Sequence, residues 1–146
     1  MQKPNAREYA ELKEFLAFYS ERYHNLQNFP PEHHPIACLS VLEAMSKTMA
    51  LNGLRQAIHD CIEASLRFDN AEVAILDSEL RKHGIVTLSE LRRRYSGAYA
   101  RIAKRGRIRN ETEYYLINNV LNDPTPKNDE ERELLLNLIA EYEDSR

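Results

Sequence analysis

The chain has 146 residues, with 20 Lys and Arg against 23 Asp and Glu, for a net charge of −3. That length suits one domain with one core, and 42% hydrophobic with 29% charged residues excludes a wholly disordered chain. No apolar run approaches the roughly 20 residues of a membrane helix. Charges in the opening MQKPNAREYAELKEF argue against a secretion signal. Four Gly and 6 Pro are too few for a turn-rich β-sandwich, and 2 Cys cannot build a disulfide scaffold. The expectation is a cytoplasmic, all-α single domain over residues 1–146, an irregular or orthogonal bundle of about seven helices.

The first helix is read over Ala6 to Leu26. Tyr9, Leu12, Leu16, Tyr19, Tyr23 and Leu26 follow 3-4 spacing, and Phe15 and Phe18 widen the stripe beyond a coiled-coil seam. Such a face suits a domain core rather than a second chain. The proline-rich Asn28 to Pro35 then breaks the helix, and Pro35 suits the first turn of the next. Leu39, Leu42, Met45 and Met49 continue at helical spacing up to Asn52-Gly53, read as a stop. A third helix places Leu54, Ile58, Cys61, Ile62 and Ser65 on one face.

The remaining helix starts share a capping box, in which a short polar side chain caps an amide and a Glu three residues later reaches back. Asp69 with Glu72, Thr87 with Glu90, Asn110 with Glu113 and Asn128 with Glu131 all fit. They open helices ended by Gly84, by Gly106, by the Asp123-Pro-Thr-Pro126 turn and by the C-terminus.

Charge is unevenly placed. Residues 81–109 hold 10 basic and 1 acidic residue, whereas residues 1–80 hold 7 and 12, and residues 110–146 hold 3 and 10. On one long helix from Leu88 to Gly106, Leu91, Tyr95, Ala98 and Ile102 would share a face. Arg93, Arg94, Arg101, Lys104 and Arg105 would line the adjoining flank, continued past Gly106 by Arg107 and Arg109. Lys104 and Arg105 also suit the negative end of the helix dipole. The stripe is either neutralised by the acidic last helix or offered to an anionic partner. Nucleic acid is one such partner, gripped by arginines and stacked on Tyr95, Tyr99, Tyr114 and Tyr115. Core packing is the simpler explanation of those tyrosines.

Other chemistry finds little support. Leu80 to Leu91 has a turn glycine and a basic second helix, but a helix-turn-helix register would put Glu90 and Arg93 at apolar positions. His24, His33, His34, His59, Cys38 and Cys61 show no metal-ligand spacing. Both cysteines read as small hydrophobes on apolar faces, and His33 and His34 as solvated loop residues. No glycine-rich phosphate loop or nucleophile elbow is present. Arg55-Gln-Ala-Ile-His59 resembles, at shorter spacing, the Arg…His motif of the helical HEPN ribonucleases. Arg109-Asn110 offers the motif's start, but Tyr114 stands near the place of its His. The resemblance implies a ribonuclease with His59 or His24 beside an Arg.

By subtraction, the first expectation is a non-enzymatic protein-interaction module of the regulator, adaptor or toxin-immunity type. No catalytic residue, metal or cofactor is expected, and the partner-binding residues are Arg93, Arg94, Arg101, Lys104, Arg105, Arg107 and Arg109. The alternative is a nucleic-acid-binding regulator using residues 81–109, and the third is the ribonuclease.

Overall fold

The computed structural model describes residues 6–23 and 31–146. Among them the chain is all-α. Its eight helices are α1 (Ala6–Tyr23), α2 (Pro35–Met45), α3 (Lys47–Ser65), α4 (Asn70–Lys82), α5 (Leu88–Tyr95), α6 (Gly97–Arg105), α7 (Glu111–Asn122) and α8 (Asp129–Asp144). A single 3-10 turn, Pro31–His33, precedes α2. His24, Leu26 and the first residues of the proline-rich connector lie outside the described residues. None of the described helices is long and apolar enough to cross a membrane. The described residues gather into two compact units, one drawn from 1–67 with 80–86, the other from 68–79 with 87–146.

In the first unit, α1 turns Leu12, Phe15, Leu16 and Tyr19 inward, and α1 packs on α2 and α3. The wide stripe is therefore a core face. The Phe18 ring lies on His83, with centroids 5.4 Å apart. On the flank of α1, the Tyr9 hydroxyl donates to Glu43 Oε2 at 2.8 Å and Lys13 Nζ reaches the same oxygen at 3.0 Å. Burial, reinforced by the Glu43 hydrogen bond, pushes the Tyr9 pKa up to about 12.

The joint between α2 and α3 falls at Ser46, not at Asn52-Gly53. Ser46 is extended (φ −167°), its N–H donates to Leu42 O at 2.9 Å, and its Oγ accepts from Met49 N. One serine thus ends a helix and caps the next. Helix α3 runs on through Asn52 and Gly53. The glycine there serves packing rather than termination. A Cβ at Gly53 would stand 2.5 Å from Leu42 Cδ1, so α2 crosses α3 where a side chain is missing.

Two further expectations need correction. His34 is not a solvated loop residue. It is the N-cap of α2, its Nδ1 accepting from Ile36 N at 2.9 Å. Cys38 is exposed, its Sγ 3.5 Å from Glu32 O, because it lies on the outer side of α2. Cys61 is buried as expected, and burial pushes its thiol pKa up to about 12. Helix α2 itself buries only Leu39 and leaves Val41 and Met45 exposed.

In the second unit, the capping residues act where the sequence placed them. Asp69, Thr87, Asn110 and Asn128 each accept from the backbone N–H three residues on, at 2.7–3.0 Å. The long basic helix is absent, however. Ser96 breaks it into α5 and α6, its N–H bonding Arg92 O at 2.9 Å while its Oγ accepts from Tyr99 N. Tyr99, Ile102, Ile108, Leu116, Ile117, Val120, Leu135 and Leu138 form a core shared by α6, α7 and α8.

A single domain across residues 1–146 is expected to melt as one. Helical circular dichroism and tyrosine fluorescence should report coincident transitions; two separated transitions would divide the chain into independently folding parts. Within the first unit, Leu16 is 2% exposed, and Leu16→Ala is expected to lower stability by about 2–5 kcal/mol in a denaturant melt. Unchanged stability would contradict its placement in the core.

Candidate functional site

The seven expected partner-binding residues do not share one flank, because the break at Ser96 assigns Arg93 and Arg94 to α5 and Arg101, Lys104 and Arg105 to α6. They fall into two groups. Arg93, Arg94 and Arg105 are held by carboxylates of the same unit. Arg101, Lys104, Arg107 and Arg109 are exposed, and among the described residues none of these four forms an ion pair.

The first group is built around Glu90, the one acidic residue between Arg81 and Arg109. Its side chain is 2% exposed. Arg93 Nε donates to one carboxylate oxygen at 2.8 Å and Arg93 Nη2 to the other at 2.9 Å, while Arg94 Nε donates to that second oxygen at 2.8 Å. Burial works against the charged form of Glu90. The hydrogen bonds from Arg93 and Arg94 outweigh it and hold the carboxyl below the ordinary glutamate range. Arg93 then extends to α8, its Nη1 2.9 Å from Glu131 Oε1. The Tyr99 hydroxyl donates to Glu131 Oε2 at 2.6 Å. Burial and that hydrogen bond raise the phenol well above its ordinary value. Neutralisation by the acidic last helix is thus real for Arg93, whereas Arg105 finds its carboxylate at Glu113 of α7.

A second buried polar group joins α4 to α5. Asp77 accepts from both the backbone N–H and the hydroxyl of Ser89, in the first turn of α5, at 3.3 and 2.5 Å. The carboxylate thus supplements Thr87 as a cap supplied from another helix. Burial raises the Asp77 pKa, the Ser89 hydrogen bonds oppose this, and the Asp123 carboxylate adds to it. Asp123, itself buried, closes α7. Lys127 Nζ donates to Asp123 O at 2.8 Å and Thr125 O at 3.0 Å, pinning the turn before α8.

The exposed group lies along α6 and the turn after it. That turn is closely tied. Gly106 takes the left-handed conformation (φ 79°) that a side chain would strain, and its N–H bonds Ile102 O at 2.9 Å. Arg105 Nε donates to Arg107 O at 3.1 Å, and its guanidinium pairs with Glu113. Glu113 Oε1 also accepts from Arg109 N at 2.8 Å. Between the two exposed arginines, Ile108 enters the core.

Of the tyrosines suggested for base stacking, Tyr99 and Tyr114 are engaged within the fold, whereas Tyr115 is exposed. Tyr99 is buried with its hydroxyl on Glu131. Tyr114 stacks on Tyr115, lies under the Arg146 guanidinium, and donates to Glu143 at 3.0 Å. The histidine of the ribonuclease motif is exposed, with Nε2 4.0 Å from Glu63. Among the described residues, no group of three or more His, Cys, Asp or Glu is placed to hold a metal ion.

Sequence reasoning reads Glu90 and Glu113 only as capping-box acids, and Glu131 both as one and as part of the acidic last helix that could neutralise the stripe. The i,i+3 and i,i+4 spacing of Glu90 to Arg93 and Arg94 is a usable signal for their pairing. The pairing of Arg93 with Glu131, 38 residues away, has only the opposed charge of the two segments as a signal, with no spacing that selects the partners. The chain matches no protein-family model, and comparison with curated proteins and with solved structures finds no similar protein.

Asp77 supplies a test by pH. Its native pKa lies above the unfolded value, so the native state takes up the proton first. The stability it contributes is complete below the ordinary aspartate pKa and is lost as pH rises through the raised native value. Denaturant melts should therefore show the wild type gaining on Asp77→Asn as pH is lowered from neutrality toward the aspartate range. A difference between the two that does not change with pH would contradict the buried setting of Asp77.

Proposed function

We propose that this protein is a non-enzymatic, cytoplasmic protein-interaction module of the regulator, adaptor or toxin-immunity type, and that Arg101, Lys104, Arg107 and Arg109 are its contact residues. One observation carries the reading: the basic residues divide into a half-buried, carboxylate-held set that builds the unit and an exposed set without such partners. Holding unpaired like charges together on a surface brings no gain to the fold. A partner of opposite charge gives them a use, in steering and in specificity.

A protein partner is favoured over nucleic acid because Tyr99, the aromatic ring of α6 itself, is buried with its hydroxyl on Glu131. The exposed apolar residues of α2, in the other unit, point the same way, since apolar surface is a feature of protein contacts. Arg93, Arg94 and Arg105 drop out of the contact set, because rotating any of them outward would take a charge-assisted hydrogen bond from Glu90 or Glu113.

The test is affinity capture from native lysate, with and without nuclease treatment, using wild type and the Arg101→Glu/Lys104→Glu double variant. Both side chains are exposed, so circular dichroism should be unchanged. A defined protein should be retained after nuclease treatment and weakened by the reversal. Capture that disappears with nuclease, together with wild-type binding to mixed-sequence RNA that falls steeply with salt, would replace this reading with the nucleic-acid one.

A further inference from the structure

We propose that the turn 106–110 is a preformed two-arginine clip, in which Arg107 and Arg109 bind carboxylates of an acidic segment on a partner protein. This rests on the protein-partner reading above and adds the chemistry of the partner.

The clip arises from how the turn is fixed. Its backbone is tied at Gly106 by Ile102 O, at Arg107 by Arg105, and at Arg109 by Glu113, while Asn110 begins the next helix as its cap. Ile108, 7% exposed, anchors the centre in the core. The pattern Arg-Ile-Arg therefore puts one side chain inward and its two neighbours outward. The tying residues are not the presenting ones. Arg105 and Glu113 neutralise each other, so Arg107 and Arg109 keep their charge for another molecule.

Two properties select the ligand. The first is preorganisation: the backbone is ordered before binding, so little loop entropy is lost on contact. A guanidinium adds a planar fork that fits a carboxylate through two hydrogen bonds. The second is spacing. Residues two apart lie at most about 7 Å apart along a chain. Acidic side chains three or four apart on a helix have Cβ atoms about 5–6 Å apart, so one turn of an acidic helix presents two carboxylates at a matching interval.

A long polyanion fits less well. Exposed Arg101 and Lys104 precede the clip on α6, but the second unit as a whole carries 11 basic and 15 acidic residues, net −4, so its charge beyond these few residues opposes a polyanion. Exposed Glu111 stands at the start of α7, just past the clip. A short acidic segment engages the two arginines without extending into that region.

The experiment is fluorescence anisotropy on the full chain at physiological ionic strength. The probes are a labelled helical peptide with Glu at i,i+4 steps, the same peptide with Gln in place of Glu, and a mixed-sequence RNA. The Glu peptide should bind and the Gln peptide should not. Arg107→Glu/Arg109→Glu should weaken the Glu peptide at least about tenfold, equivalent to 1.4 kcal/mol. Arg107→Lys/Arg109→Lys keeps the charge but loses the fork, so it should fall between wild type and reversal. If circular dichroism shows that the reversal variant is misfolded, Arg107→Gln/Arg109→Gln replaces it, with the same loss expected. Failure of the Glu peptide to bind, equal binding by wild type and the variants, or tighter binding of the RNA would each overturn the clip. The lysate experiment separates the two levels. A protein still captured by the Arg107/Arg109 variants preserves the interaction module and removes the clip, whereas capture that requires nucleic acid removes both.

Discussion

The second unit depends on a buried negative charge. Glu90 is the one acid in a run of ten basic residues, and it is withdrawn almost entirely from water. Isolated, that carboxylate would cost several kcal/mol to bury. It is tolerated because two guanidinium groups close on it from one helical turn away. Arg93, once fixed there, also pairs with Glu131 and so draws the start of α8 beside α5. Tyr99 completes the arrangement from α6. Three helices are thus brought into relation by two acids, Glu90 and Glu131, with Arg93 held between them.

This arrangement explains how a strongly basic segment exists in a unit of net negative charge. Where the segment folds inward, acids three residues into their helices meet the arginines. Along α6 and through the following turn only Arg105 meets an acid, Glu113, while Arg101, Lys104, Arg107 and Arg109 face outward without one. The capping-box glutamates therefore have a use beyond capping. Each N-cap side chain does its local work, while Glu90, Glu113 and Glu131 are directed to arginines. A local helix-start signal and a tertiary charge network occupy the same residues.

Much of the fold was legible for local reasons. The four polar caps, the 3-4 stripe of α1 and the inward face of α3 each depend on residues within a turn or two of one another. The joints at Ser46 and Ser96 were not legible, because neither has a Glu three residues later. Met49 and Tyr99 stand there instead. A serine without that partner looks like any other helical serine. Gly53 misled for the opposite reason: its signal was strong, but the cause was the approach of Leu42 from another helix. The candidate site was half legible. Composition located the basic segment, and helical spacing contained the pairing of Glu90 with Arg93 and Arg94. The division into held and exposed arginines required Glu113 and Glu131, whose positions come from packing rather than from local sequence.

The shared serine at position 96 has a consequence for chain length. Its amide closes α5 and its hydroxyl opens α6, so the joint contains no spare residue. Each residue added to an α-helix turns all later residues of that helix by about 100°. An insertion between Arg92 and Tyr99 would therefore rotate the exposed basic residues of α6 away from their present bearing relative to α5, or pull Tyr99 from Glu131. The turn after α6 is held as closely, by Gly106 on Ile102 and by Arg109 on Glu113, so the second unit sets the bearing of its exposed basic residues through two connections whose lengths are fixed by geometry.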